Sequence, residues 1–388
     1  MEWVRLRDIG KIVTGNTPPT SKPEFYGDYM PFIKATDISL DSKTTLVTEQ
    51  SYSKRASEKY KESLVPKGST CVVTIGSIGK KMTYAHKDLF VNQAINAIIP
   101  SPKYDNEYIY YNVKYSVLPQ LKKLDSGTTS GRENVSKSSF SNIRIPIVKD
   151  KNIQHRIASI LSTYDSLIEN NAKRIRLLEK MAENLYKEWF VRFRFPGHES
   201  VEMENGLPKG WKRGSLSDVC EFKRGKNITS SEMQEGNVPV ISAGLEPSGY
   251  HSCSNVRGVN VTMSSSGANA GYIAIHYSDI WAADCSYIEE STTGNIYYVY
   301  ELLNNIRTVI NNFQRGAAQP HVYPKDVNRI KLILPSENLM QKANGRLEIM
   351  HKEIYNLQKQ NSLLARQRDL LLPRLMSGKL EVKEELLE

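Results

Sequence analysis

LSTYDSLIENNAKRIRLLEKMAENLYKEWF, residues Leu161–Phe190, decides how the whole chain is read. Leu161, Tyr164, Ile168, Asn171, Ile175, Leu178, Ala182, Leu185 and Trp189 follow one another at alternating spacings of three and four. That is the a/d seam of a coiled-coil helix, sustained over four heptads. The stretch lies between two regions that read as β-rich, an unusual place for a rod.

The same spacing returns 186 residues on, from Leu161 to Leu347. Leu347, Met350, Ile354, Leu357, Asn361, Leu364, Arg368, Leu371 and Leu375 form a second seam of equal length. Each seam carries one Asn, Asn171 or Asn361, and a polar seam residue fixes register and partner. Arg368 is a further interruption, whose long stem can cover apolar surface. A helix with such a seam must bury it. Each has the other as its natural partner; the alternative is that each packs on its neighbouring domain.

The repetition extends beyond the helices. WVRLRDIGKIVTGN from Trp3 resembles WKRGSLSDVCEFKRGK from Trp211, with Asp8 to Gly15 matching Asp218 to Gly225. MPFIKATDI resembles VPVISAGL, and VVTIGSIGKK resembles TMSSSGANAGY. SGTTSGRENVSKSSFSNIRIPIV resembles QRGAAQPHVYPKDVNRIKLILPS. The order is therefore domain, helix, domain, helix.

Short runs rich in β-branched residues, STCVVTI, AINAIIP, GYIAIHY and IRIPIV, predict strands. EYIYYNVKYSVLPQLKK and IYYVYELLNNIRTVINNF predict one helix late in each domain. The expected fold class is α+β: two similar β-rich α/β domains separated by two long helices that pair as an antiparallel coiled coil, with pseudo-twofold symmetry. The expected boundaries are 1–150, first domain; 151–195, first helix; 196–210, a polar Gly/Pro-punctuated linker; 211–336, second domain; 337–380, second helix; 381–388, tail. Antiparallel pairing follows from the short linker, since parallel helices would require the chain to run back along the rod. Leu161 to Trp189 spans about 42 Å at about 1.5 Å per residue. That is close to one turn of duplex DNA, about 34–36 Å.

Bulk properties narrow the classes. The chain has 388 residues, 39% hydrophobic and 24% charged, as expected of a globular protein. No window reads as a membrane span, and MEWVRLRDIGKIV lacks the apolar core of a signal peptide, so the expected compartment is the cytoplasm. The four cysteines, Cys71, Cys220, Cys253 and Cys285, form no Cys-x-x-Cys pair, and no metal site is expected. The formal net charge of +10 favours a polyanionic partner, of which nucleic acid is the commonest.

YKEWFVRFRFPG after the first helix, RDLLLPRLMSGKL ending the second, and the GNTPP, RGAAQPHV and IRIPIV elements resemble the specificity subunit of type I restriction–modification systems. The resemblance covers essentially the whole chain. It implies two target recognition domains reading a split, asymmetric DNA sequence, with the helices as a spacer ruler that also binds two modification subunits. It implies no catalysis and no cofactor in this chain. S-adenosylmethionine, ATP and Mg²⁺ would be used by the modification and restriction subunits of the complex, an adenine methyltransferase and ATP-dependent endonuclease. The residues agree: the only Pro-Pro, Pro18-Pro19, is followed by Thr20 rather than an aromatic, and GSIGKK lacks the spacing of a phosphate-binding loop.

Base reading needs Arg, Lys, Asn or Gln on base edges and basic or hydroxyl groups on phosphates. Loops carry these groups most readily. The first-domain candidates are Lys34, Thr36, Lys80, Lys81, Arg132 and Asn134. Those of the second are Lys223, Arg224, Lys226, Asn227, Ser266, Asn269, Arg315, Gln319 and His321. Any one of them alone also reads as a solvated loop side chain. Gly76, Gly79, Gly267 and Gly271 read as turn formers. Trp189, Phe190, Phe193 and Phe195 read as core or as a cap between rod and second domain. Two rival readings stand beside this one: a coiled-coil adaptor with two protein-binding domains, and a self-sufficient nuclease or methyltransferase.

Overall fold

The computed structural model describes residues 1–40, 42–127, 133–316 and 319–382. It divides into two compact units, Met1–Asn171 with Lys359–Glu388, and Ala172–Gln358. The two long helices, Lys151–Tyr186 and Glu337–Met376, each contribute one half to each unit. No helix of the described residues is long and apolar enough to cross a membrane.

In the first unit, Glu2–Arg5 and Arg144–Ile147 form an antiparallel ribbon. A four-stranded antiparallel sheet follows in the order Gly10–Thr14, Ile95–Pro100, Thr70–Val73, Met82–Tyr84. A second sheet has the order Tyr26–Gly27, Gln50–Tyr52, Met30–Ile33, Phe90–Val91, the last pair parallel. Thr70–Val73 is buried along its whole length because both faces are covered. Val72 and Ile98 face a core that includes Tyr108, Ile109, Phe140, Ile157, Leu161, Leu372 and Leu375. Cys71, Val73, Ile95 and Ala97 face a second core with Ile33, Leu89 and Val91.

The second unit repeats this topology. Lys212–Ser215 pairs with Lys331–Leu334. The main sheet runs Lys223–Arg224, Cys285–Glu289, Asn260–Ser264, Ile273–His276, and the smaller one Gly249–His251, Val238–Ile241, Trp281–Ala282, again with a parallel final pair. Each of the four β-branched runs contains a strand: Thr70–Val73, Ile95–Pro100, Ile273–His276 and Arg144–Ile147.

Every position of both seams is buried or half-buried. In the first unit Asp165 pairs with Arg368, and Asn171 Nδ2 donates to Asn361 Oδ1 at 3.0 Å. In the second, Arg174 pairs with Glu353 and the Arg346 guanidinium lies 5.1 Å from the Trp189 ring centre. In each unit an advance along one helix meets a retreat along the other, so the helices pair antiparallel. Arg368 does more than cover apolar surface with its stem: its guanidinium is buried and ion-paired with Asp165 and Asp369.

Several elements differ from the reading of the sequence. The first long helix ends at Tyr186 and continues as a π-type turn, Lys187–Val191. The extra residue in that turn shifts the helical phase, and adjacent Trp189 and Phe190 are both buried. Phe193 then takes a positive φ, and Phe193 and Phe195 pack on Trp211 at ring separations of 5.1 and 5.9 Å. The late helix of the first domain is two helices, Asn106–Ser116 and Leu118–Leu121. Pro119 has no N–H to continue the ladder and fits only a first turn. The second-domain counterpart also breaks, between Ile296–Asn305 and Arg307–Asn311, where Ile306 has ψ 13°. Residues 196–210 hold a small hairpin, Met203–Glu204 with Leu207–Pro208, turned by Asn205-Gly206 with both φ positive.

Candidate nucleic-acid interface

At one end of each main sheet the same loops meet. In the first unit they follow Thr14 and Val73, precede Ile95, and lead up to Val135. Gly15 makes the close approach possible: a Cβ there would lie 2.0 Å from Val91 O, and one at the matching Gly225 would lie 2.4 Å from Ala283 O. Only glycine fits backbone crossings this tight. The loop after Thr74 turns at Gly76, φ +87°, and the matching loop turns at Gly267, φ +74°. Both glycine N–H groups donate to a neighbouring loop, Gly76 to Glu133 O at 2.9 Å and Gly267 to Pro320 O at 3.0 Å.

The structure gathers most of the first-unit candidates around this turn. Lys81 Nζ donates to Ala35 O at 3.1 Å, which joins it to the loop carrying Lys34 and Thr36. Lys34 Nζ is paired with Glu49 Oε2 at 2.9 Å, whereas Thr36 and Lys80 are exposed. Asn134 forms a bridge with Ile75, and its N–H is held by Asp125 Oδ1 at 2.7 Å. Asp125 also accepts from Gly127 N, and these two backbone hydrogen bonds hold its carboxyl below the usual range. Arg132 lies outside the described residues.

In the second unit one carboxylate organises the cluster. Asp284 takes the Arg224 guanidinium at 3.4 Å on one oxygen and the Ser266 hydroxyl on the other. Ser266 bridges to His321, which also pairs through its backbone with Arg315. Arg315 Nη2 is held by Asp326 Oδ2 at 2.9 Å. Lys226 is fixed by its backbone alone: its N–H donates to Ala282 O and its carbonyl accepts from Trp281 Nε1, both at 2.9 Å. Its exposed side chain and that of Asn227 are free to reach outward, as are those of Gln319 and, partly, Asn269. Lys223 is not part of the cluster. Neighbouring strand residues point to opposite faces, and Arg224 takes the cluster side.

Asp284 and Asp125 were not among the sequence candidates, because an isolated Asp in a loop reads only as a turn residue. Also absent from them were Asn16, Thr17 and Gln93, the first-unit counterparts of the Lys226 region. Thr17 Oγ1 donates to Gln93 Oε1, and Asn16 Nδ2 donates to Ser63 Oγ at 2.8 Å. Beneath them, Thr14, Asn96 and Thr74 form a hydrogen-bonded chain of 2.6 and 2.8 Å. The second unit has Arg224, Ser286 and Ser265 at these positions. The scaffolds match and the polar groups they present differ.

The arrangement offers two kinds of contact. Lys80 and Lys226 are exposed cations without an ion pair among the described residues, suited to phosphates. Arg224 and Arg315 are held in place by carboxylates, and Asn227 and Gln319 present amides, the groups that read base edges. The buried thiols are inert: burial pushes Cys71, Cys220 and Cys285 up to about 12. Among the described residues no group of three or more His, Cys, Asp or Glu side chains is placed to hold a metal.

The sequence matches the family described as type I restriction modification DNA specificity domain over residues 1–180 and again over 208–364. The chain is similar to the MjaIX type I restriction enzyme specificity subunit of Methanocaldococcus jannaschii, 26% identical over 98% of this chain and 93% of that one. It is also similar to a putative type I specificity subunit of Mycoplasma genitalium, 27% identical over 80% of this chain and 81% of that one. The crystal structure of a type I restriction–modification S subunit from M. genitalium shares the fold, with a TM-score of 0.62 at 22% identity over 96% of each chain. Two family matches, one on each copy of a repeated domain whose loops converge alike, place this chain in the type I restriction modification DNA specificity family.

Proposed function

We propose that this chain is the non-catalytic DNA-reading subunit of a type I restriction–modification complex. Each unit reads one half of a split, asymmetric target, and the paired helices set the spacer between the halves. Two modification subunits dock on the chain and carry the S-adenosylmethionine chemistry; restriction subunits supply ATP-driven translocation and cleavage with Mg²⁺. This chain binds none of those cofactors. One observation carries the reading: both units bring the same loops together over the same sheet, yet line them with different polar groups. Duplicated scaffolds with diverged readers suit a target with two unlike halves.

Binding of the purified chain to random duplex DNA, measured by fluorescence anisotropy against salt, tests the reading. Affinity is expected to fall steeply with salt, and Lys80→Ala or Lys226→Ala each to reduce the log–log slope by about one. Asn227→Ala is expected to relax specificity in one half-site alone. Absent DNA binding, with salt-independent binding to a protein partner, would contradict the reading and favour the adaptor.

A further inference from the structure

The second unit contains a cleft of about 450 Å³ whose lining includes Glu179, Glu183, Glu301, Tyr277, Tyr300 and His351. Glu301 and His351 are almost fully buried, at 6% and 2% exposure. His351 bridges two lining groups, with Tyr277 Oη at 2.9 Å and Glu301 Oε1 at 3.2 Å. Burial, aided by Glu301 and opposed by His351, pushes the Glu179 carboxyl up. Glu183 already pairs with Lys180 and Lys187, and the Tyr272 ring of the lining already carries Arg307. The two remaining carboxylates, Glu179 and Glu301, with the Tyr277 and Tyr300 rings around an open space, are the chemistry of an ammonium site.

The first unit shows what such a space takes. Its corresponding positions are Tyr84 on the edge strand, Tyr110 and Tyr111 on helix Asn106–Ser116, and Asp165 and Asp369 on the long helices. There Asp165 and Asp369 hold Arg368, and against the three rings the chain inserts its own Lys43. Its Nζ lies 4.9, 5.6 and 5.2 Å from the Tyr84, Tyr110 and Tyr111 ring centres and 2.9 Å from Glu107 Oε1. Lys43 is 8% exposed. It arrives on an extended segment: Tyr84 N donates to Lys43 O at 2.8 Å, Thr44 bridges Tyr84 in parallel, and Thr45 Oγ1 donates to Thr83 Oγ1 at 3.0 Å.

That segment belongs to the loop 34–49, between strands Met30–Ile33 and Gln50–Tyr52. The matching loop of the second unit, between Val238–Ile241 and Gly249–His251, spans only 242–248 and has no counterpart of Lys43. Strand Ile273–His276 is an edge strand as Met82–Tyr84 is, but among the described residues no segment bridges it as Thr44 bridges Tyr84.

From this paired comparison we infer that the Glu179–Glu301–His351 cleft receives a lysine side chain from an extended segment of a partner protein, which adds alongside strand Ile273–His276 as Lys43–Thr45 does in the first unit. Main-chain pairing at a sheet edge supplies affinity, and the side-chain pocket supplies selectivity. The inference does not depend on DNA recognition.

The test uses the full chain and a capped peptide of the sequence SKTTLVT, the chain's own residues 42–48, titrated by calorimetry. Saturable binding is expected, weakened at least about tenfold when norleucine replaces the lysine. Glu179→Gln, at the cleft's solvent-open side and so chosen to leave folding intact, is expected to weaken binding several-fold with an unchanged circular dichroism spectrum. Equal binding of the norleucine peptide, no saturable binding, an unaffected Glu179→Gln variant, or binding of spermidine with none of the peptide would each overturn the inference.

Discussion

Arg368 and Asp165 show at the scale of single residues what a seam pattern leaves out. Both are buried; Tyr111 Oη donates to Asp165, and Lys114 lies 3.5 Å from Asp369, the second partner of Arg368. Burial alone would raise the Asp369 carboxyl, but the hydrogen bonds from Arg368 and Lys114 and their charges hold it below the usual range. Removing one member strands the other's charge. Asp165→Ala is expected to cost about 3 kcal/mol in unfolding free energy, whereas the triple change Tyr111→Phe, Asp165→Leu, Arg368→Leu should recover most of it. Denaturant midpoints check this; equal losses in both variants would count against the account. His276 gives a pH signature. Burial pushes its imidazole down to about 4, and it sits 2.8 Å from Thr262 Oγ1. The unfolded chain binds this proton near pH 6.5 and the folded chain only near 4, so between those values the unfolded state holds more protons. Stability should therefore fall as pH drops below about 6.5, and His276→Asn should flatten that part of the curve. An identical slope in the variant would show that His276 does not titrate as described. None of these partnerships is legible in sequence, because Asp165 and Arg368 come together only once two distant helices pair.

At the scale of elements, periodicity carries most of the information. The three–four spacing marks both long helices, and the β-branched runs mark strands, because each pattern is imposed by a buried face. Breaks are harder. Pro119 and Asn205-Gly206 carry local signals for a helix stop and a hairpin, and could have been read. The break at Ile306 and the π-turn at Lys187–Val191 carry none; packing around Trp189 and Phe190 decides the turn. Asn171 and Asn361 meet across the pair, the arrangement that holds register. One heptad added after Asn171 alone should mismatch the seams and lower the thermal midpoint. Matched heptads after Asn171 and Gln358 should restore folding and lengthen the DNA spacer that is recognised. An unchanged spacer preference in that variant would mean that the helices are not the ruler.

At the scale of the whole molecule, the duplication is what makes function legible. Two loose motifs become informative when they recur in the same order, and the two units have the same strand order in their main sheets. The candidate loops could be named from sequence, since Lys80, Lys226 and Arg315 sit in polar, Gly-punctuated stretches. Which of them meet could not, since Asp284, the residue that ties Arg224 to Ser266, has no sequence pattern of its own. Divergence between the units then accounts for both proposals: unlike groups over like loops for the two half-sites, and a short loop 242–248 that leaves open a cleft the first unit fills with Lys43. The central claim is that each unit reads its own half-site. Genome-wide mapping of methylated bases in a host carrying this chain with its modification subunit tests it most directly. The account predicts a single chain-dependent motif of two unlike short halves around a fixed unspecified spacer, with one half alone altered when residues 211–336 are exchanged for those of a relative; a continuous motif, or one altered in both halves by that exchange, would contradict it.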